Sequence, residues 1–183
     1  MNSGFPSEAD IAKLPLRGIV AYAARIARRA SSHLHSLEKS DLVQRVLEST
    51  ERIIYDTNVR PHQAETLLKS AAGVMASLGE SPSPESVLAA LEIIDSAVCA
   101  INVAMACQIK NENPAQFQKF VNFAVRHAHC AAKRSCLLGN RTSAIDAATR
   151  DYHTLMHISE RSLDPGLGEP IDIGPSGALG PLW

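Results

Sequence analysis

An excess of charge of either sign is missing from this chain. Eighteen Lys and Arg stand against nineteen Asp and Glu, a net charge of −1, so no overall field marks it as a binder of nucleic acid or of an anionic membrane surface. Long apolar runs are missing too. The longest stretch without a charged residue, Ser96 to Ile109, is 14 residues, short of the roughly 20 that a spanning helix needs; no membrane span is expected. Nor is a secretory leader expected. Glu8 and Asp10 stand where a leader carries positive charge, and the apolar stretch Ile19 to Ala24 is short and runs into Arg25, Arg28 and Arg29. The reading is a cytoplasmic protein. The four cysteines, Cys99, Cys107, Cys130 and Cys136, lie at spacings of 8, 23 and 6, which fit neither a zinc ribbon nor a disulfide framework. Free, buried thiols are expected.

Catalytic signatures are also missing. There is no Gly-rich phosphate loop, since Gly174, Gly177 and Gly180 are not followed by Lys-Ser or Lys-Thr, and there is no nucleophile elbow or metalloprotease helix. The Glu-x-x-His pair that a di-iron bundle places on two helices occurs nowhere. No catalytic residue is assigned and no cofactor is called for.

What is present is a composition close to the globular average: 45% apolar and 20% charged residues over 183 positions. A single domain of this size buries a substantial core without disulfide or metal. Apolar residues recur with a period near 3.6, which predicts helices over about 14–33, 41–57, 61–79, 84–110, 114–138 and 142–160. Proline at Pro15, Pro61 and Pro84 suits a helix start, where its missing N–H is no loss. The fourth of these segments is apolar on most of its circumference (Val87, Leu91, Ile94, Val98, Ile101, Met105), so it belongs at the centre. The first is an amphipathic basic helix, with Ile19, Tyr22, Ala23, Ile26 and Ala30 inward and Arg17, Arg25, Arg28 and Arg29 on the other faces. Residues 163–183 hold five Gly, four Pro and no basic residue and cannot sustain a helix. No fixed repeat supports a solenoid. The expectation is an all-α, six-helix up-and-down bundle: a flexible arm at 1–12, the bundle at 13–162, and a Gly/Pro-rich extended tail at 163–183. The tail's Ile171, Ile173, Leu179, Leu182 and Trp183 are apolar anchors for docking back on the bundle or on a partner.

Three stretches carry a resemblance: Leu14-Pro15-Leu16-Arg17-Gly18-Ile19-Val20-Ala21-Tyr22-Ala23-Ala24-Arg25-Ile26-Ala27-Arg28-Arg29, Ala144-Ile145-Asp146-Ala147-Ala148-Thr149-Arg150-Asp151-Tyr152, and Gly180-Pro181-Leu182-Trp183. Together with the alanine-rich central helices they resemble a group of uncharacterised all-helical bacterial proteins of planctomycete type. The alanine-rich helices are more distantly similar to predicted helical immunity proteins of bacterial toxin systems. That second resemblance implies a protein-binding role and supplies no site residue.

Polar residues within the helices give three candidate constellations. His153 and His157, four apart, share a helix face with Glu160 one turn on, the spacing of a helical metal site; against this, a catalytic zinc takes a third protein ligand that the pattern does not specify. Glu92 and Asp95 lie three apart on the most apolar helix, with Asn102 on the same stripe. Paired carboxylates serve acid–base chemistry or metal, yet a structural cluster in which Arg17 or Arg25 pairs with them and Asn102 fixes register is the expectation. Arg25, Arg28 and Arg29, with Lys13 and Arg17, form a basic stretch that could hold an anion, although with Tyr22 as its only aromatic and no nucleic-acid motif it argues against nucleic acid. His127, His129 and Cys130 read as core-edge histidines and a buried thiol. The function these features point to is a non-catalytic helical module that binds another protein, of an immunity or regulatory kind. The alternatives are a metal-dependent enzyme or metal sensor on His153 and His157, and an anion-binding bundle using the first helix.

Overall fold

Helix starts in this chain are set by proline and by short polar side chains, both of which deal with backbone N–H groups that have no partner inside the helix. A computed structural model describes residues 5–34, 40–80, 82–138, 140–164, 166–174 and 176–182. Among these, all regular structure is helical and no residue lies in a strand. The helices are α1 (Glu8–Ile11), α2 (Leu16–Ala30, continued by a 3-10 turn at Ser31–Leu34), α3 (Ser40–Tyr55), α4 (Pro61–Ala76), α5 (Pro84–Ile109), α6 (Pro114–Ser135) and α7 (Arg141–Ser159). Pro61, Pro84 and Pro114 open α4, α5 and α6, and the side chains of Ser83 and Asn113 cap α5 and α6. At α7 the cap is Asn140, whose side chain accepts from the N–H groups of Thr142 and Ser143, and not the expected Thr142. Gly139 and Trp183 lie outside the described residues.

Seven α-helices are described where six were expected. The additional one, α1, is a single turn inside the segment read as a loose arm. Ser7 and Asp10 close a reciprocal capping box around it, Ile11 sinks fully into the core, and His129 of α6 donates to the Pro6 carbonyl. One turn is too short to show a period, so a pattern search passes over it.

Helix α5 packs on α2, α3, α4 and α6. It is long and apolar enough to cross a membrane, but 67% of its most apolar window is buried inside the fold. The centre is shared with α2. Of the 15 residues of α2, 13 are buried, all but Arg17 and Arg28. The expected amphipathic basic surface helix is therefore corrected to an enclosed one, because residues that follow α7 cover its second face. Small side chains allow this close approach: Ala21, Ala24 and Ala27 of α2, Ala97, Ala100 and Ala104 of α5, and Ala124, Ala128 and Ala131 of α6 are all at most 1% exposed. Helix α7 packs on α2 more than on its neighbour α6.

Among its described residues, the segment after α7 holds no helix. It runs along α2 as a strap, with Ile171, Ile173 and Leu179 each 4% exposed and part of the single core cluster. Two glycines shape it. Gly168 has φ +80° and sits so close to Pro15 that a Cβ would lie 2.8 Å from its ring, and a Cβ at Gly177 would lie 2.2 Å from the Asp172 carbonyl oxygen.

Candidate functional site

Buried charge is the feature of this core that apolar packing does not explain. A guanidinium taken out of water needs its donors satisfied and its charge balanced. The Arg25 side chain is fully buried. Its Nε lies 3.4 Å from Asp151 Oδ2 of α7, one terminal nitrogen donates to the Ile173 carbonyl at 2.9 Å, and the other donates to the carbonyls of Pro181 at 2.6 Å and Leu179 at 3.4 Å. One helical turn on, Arg29 pairs with the same Asp151 oxygen and donates to the Leu182 carbonyl. At the other end of α2, the Leu16 and Arg17 N–H groups donate to the carbonyls of Gly166 and Leu167, and the Arg17 side chain donates to those of Gly168 and Tyr55. One face of α2 thus reads successive backbone carbonyls of the strap.

A second cluster lies on the α6 side of α5. Asp95 pairs with Arg134 through one oxygen, and its other oxygen is 2.8 Å from His127 Nδ1. Burial, with the Arg126 charge adding to it, holds His127 below its ordinary value. Glu92, one turn before Asp95, is 0% exposed and neither of its oxygens has a hydrogen-bond partner. Burial pushes its pKa up to about 9, with the Arg134 and Arg29 charges only partly opposing, so it is a neutral acid at pH 7. The cavity it faces, shared with Arg29, His33 and Ser135, is about 10 Å³, room for no more than about one water. It cannot admit a substrate.

These geometries revise the sequence-derived constellations. The expected pairing of Arg17 or Arg25 with Glu92 and Asp95 is corrected: Arg25 pairs with Asp151, Arg17 bonds carbonyls, and the partners of Asp95 come from α6. Asn102 donates to the Val98 carbonyl of its own helix and so fixes no register between helices. The proposed anion-binding set is taken up internally, since Arg25 and Arg29 are buried and Arg28 forks onto Glu51, at 2.7 Å for one of its two bonds, and reaches Gln44. His153 and His157 are exposed; His157 interacts with Glu160 at 3.5 Å and Arg161 at 3.0 Å, and His153 lies edge-on to the Tyr152 ring. Among the described residues no three His, Cys, Asp or Glu side chains converge as a metal site.

The residues that the sequence reading missed are Asp151, His127 and Arg134 as charge partners. Asp151 left a signal: it falls on the apolar stripe of Ala144, Ala148 and Leu155, where an acid is buried and must find a cation.

Fold and cluster together define an all-α protein whose C-terminal segment is latched to its most enclosed helix by buried arginines. No family model, curated protein or solved structure matches the chain.

Proposed function

We propose that this chain is a non-catalytic helical module, of an immunity or regulatory kind, that binds another protein through the groove between α3 and α4, and that the partner presents an acidic amphipathic helix. The observation that supports this reading is the groove itself. It measures about 580 Å³, within the range of binding clefts, and Leu42, Val59 and Leu67 provide apolar floor while Arg45, Arg52 and His62 stand at its rim. Arg52 has no partner among the described residues, and Arg45 donates only to a backbone carbonyl of its own helix. These cations differ from Arg25, Arg28 and Arg29, which are engaged inside the molecule. Unpaired basic heads over an apolar floor favour a ligand that brings carboxylates on one edge and aliphatic side chains on its face.

The test uses a fluorescein-labelled 16-residue peptide with Leu at helical spacing and Glu elsewhere, read by anisotropy. Saturable binding that weakens with salt and falls at least tenfold in Arg45→Glu/Arg52→Glu supports the reading. Binding unaffected by the charge reversal, or no tighter than for a scrambled peptide, overturns it.

A further inference from the structure

The strap is held in an unusual way: what α2 recognises is its backbone. Arg17, Arg25 and Arg29, spaced along one face of α2, donate to the carbonyls of Gly168, Ile173, Leu179, Pro181 and Leu182. Arg150 of α7 adds a bond to Pro181 at 3.2 Å. Aliphatic side chains two apart, Ile171 and Ile173, sink into the core between these bonds with Leu179 beyond them. Carbonyl bonds for affinity and pockets for alternate side chains for selectivity are the two elements by which a groove binds an extended peptide. The hydrogen bonds of the connection from α7 are, among the described residues, local ones. Asp164 accepts from the N–H groups of Gly166 and Leu167, Ser162 bonds Asp164, and Leu163 is 96% exposed. A short exposed hinge beside a docked segment is the arrangement that lets two copies exchange that segment.

We propose that this face of α2 is a peptide-binding groove whose resident ligand is the chain's own C-terminal strap, and that the same strap from a second copy occupies it when the resident one leaves. The cis strap is present at an effective concentration of the order of millimolar, so it excludes the second copy's strap from the intact chain at micromolar protein. Opening exposes Arg25 and Arg29 to water, which solvates them in place of the carbonyls. The proposal is independent of the α3–α4 groove.

The experiment places a labelled synthetic peptide of residues 166–182 against the full-length chain and against full-length Ile171→Asp/Ile173→Asp, whose own strap has lost its anchors. For a Kd of about 10 μM at the open groove, a cis competitor of about 1 mM weakens binding to the intact chain about 100-fold relative to the variant. The peptide should bind Arg45→Glu/Arg52→Glu no differently from the intact chain, and a peptide carrying the two Asp substitutions should bind none of them. Equal binding to variant and intact chain, or no binding to the folded variant, overturns the proposal. Amide hydrogen exchange on the unmodified chain covers the case of a variant that does not fold. Strap amides such as Gly168 and Gly177 should exchange at least about 100-fold faster than core amides of α5, through an opening of the strap alone. Protection equal to that of α5 would make the strap inseparable from the fold and refute exchange.

Discussion

Replacing Glu92 by Gln should stabilise this protein at neutral pH, and the size of the gain should grow with pH. Unfolded, the carboxyl loses its proton near 4.5; folded, burial holds the proton to about 9. Between those values the folded state binds more protons than the unfolded one, so Glu92 costs nothing below pH 4.5 and lowers stability progressively as pH rises toward 9. At about 1.4 kcal/mol per pH unit, the 2.5 units between 4.5 and 7 amount to about 3.5 kcal/mol, a large fraction of the ~5 to 15 kcal/mol by which domains are stable. Gln keeps the shape and does not titrate. The assay is urea unfolding followed by circular dichroism at 222 nm for both proteins between pH 5 and 8. Near pH 5 the two should differ by only about 0.8 kcal/mol, since the folded acid is protonated and the unfolded one has just passed its midpoint of ionisation. Toward pH 8 the Gln variant should be more stable than wild type by about 5 kcal/mol. Parallel profiles would show that the folded carboxyl is not held neutral. A variant less stable at pH 8 would mean that Glu92 is ionised and paired with Arg29 or Arg134, and the reasoning would be wrong.

Asp151→Ala leaves Arg25 and Arg29 buried without their shared carboxylate and should cost roughly 3 to 5 kcal/mol by the same urea assay. A double-mutant cycle between Asp95→Ala and Arg134→Ala should give a coupling of about 1 to 3 kcal/mol, while Asp95→Ala with Arg25→Ala should be additive. Gly177→Ala drives a Cβ into the Asp172 carbonyl and should make the hinge near Leu163 faster to cleave in limited proteolysis, with a loss of ~1 to 3 kcal/mol in stability. Changing both His153 and His157 to Ala should leave the melting temperature unchanged, as should a chelator added to the wild type, since neither histidine closes a ligand set that folding depends on.

Period and punctuation made the long helices legible. Apolar residues at 3.6-residue spacing, proline at Pro61 and Pro84 and the turn at Asn113-Pro114 place α4, α5 and α6 closely, because capping is decided within a few residues. The one-turn α1 has no period to detect and is held by Ile11 and by a bond from His129, more than a hundred positions away. The charge partners were illegible for a related reason. A period tells which face of a helix a residue occupies but not which helix meets that face: Arg25 and Glu92 both lie inward, yet Arg25 turns to α7 and the strap while Asp95 turns to α6. The arginines of α2 read as a solvated basic face because the strap that covers them is irregular, and irregular backbone leaves no periodic trace. Its glycine and proline content excluded helix, but where its carbonyls point depends on single backbone angles such as the φ of Gly168.

Arg25 and Arg29 explain why the strap and the cluster belong together: each pairs with Asp151 and also donates to strap carbonyls. Glu92 close by stays neutral at pH 7, because the cost of burying its carboxylate exceeds what the Arg134 and Arg29 charges return. The strap carbonyls of Ile173, Leu179, Pro181 and Leu182 add dipoles to this ion pairing, each turning its oxygen toward a guanidinium as water would. This binding is strong only where water is excluded, and water replaces it at low cost when the strap lifts. The carbonyl bonds of the latch are therefore strong when it is closed, and water takes their place when it opens, while Asp151 on α7 stays beside Arg25 and Arg29.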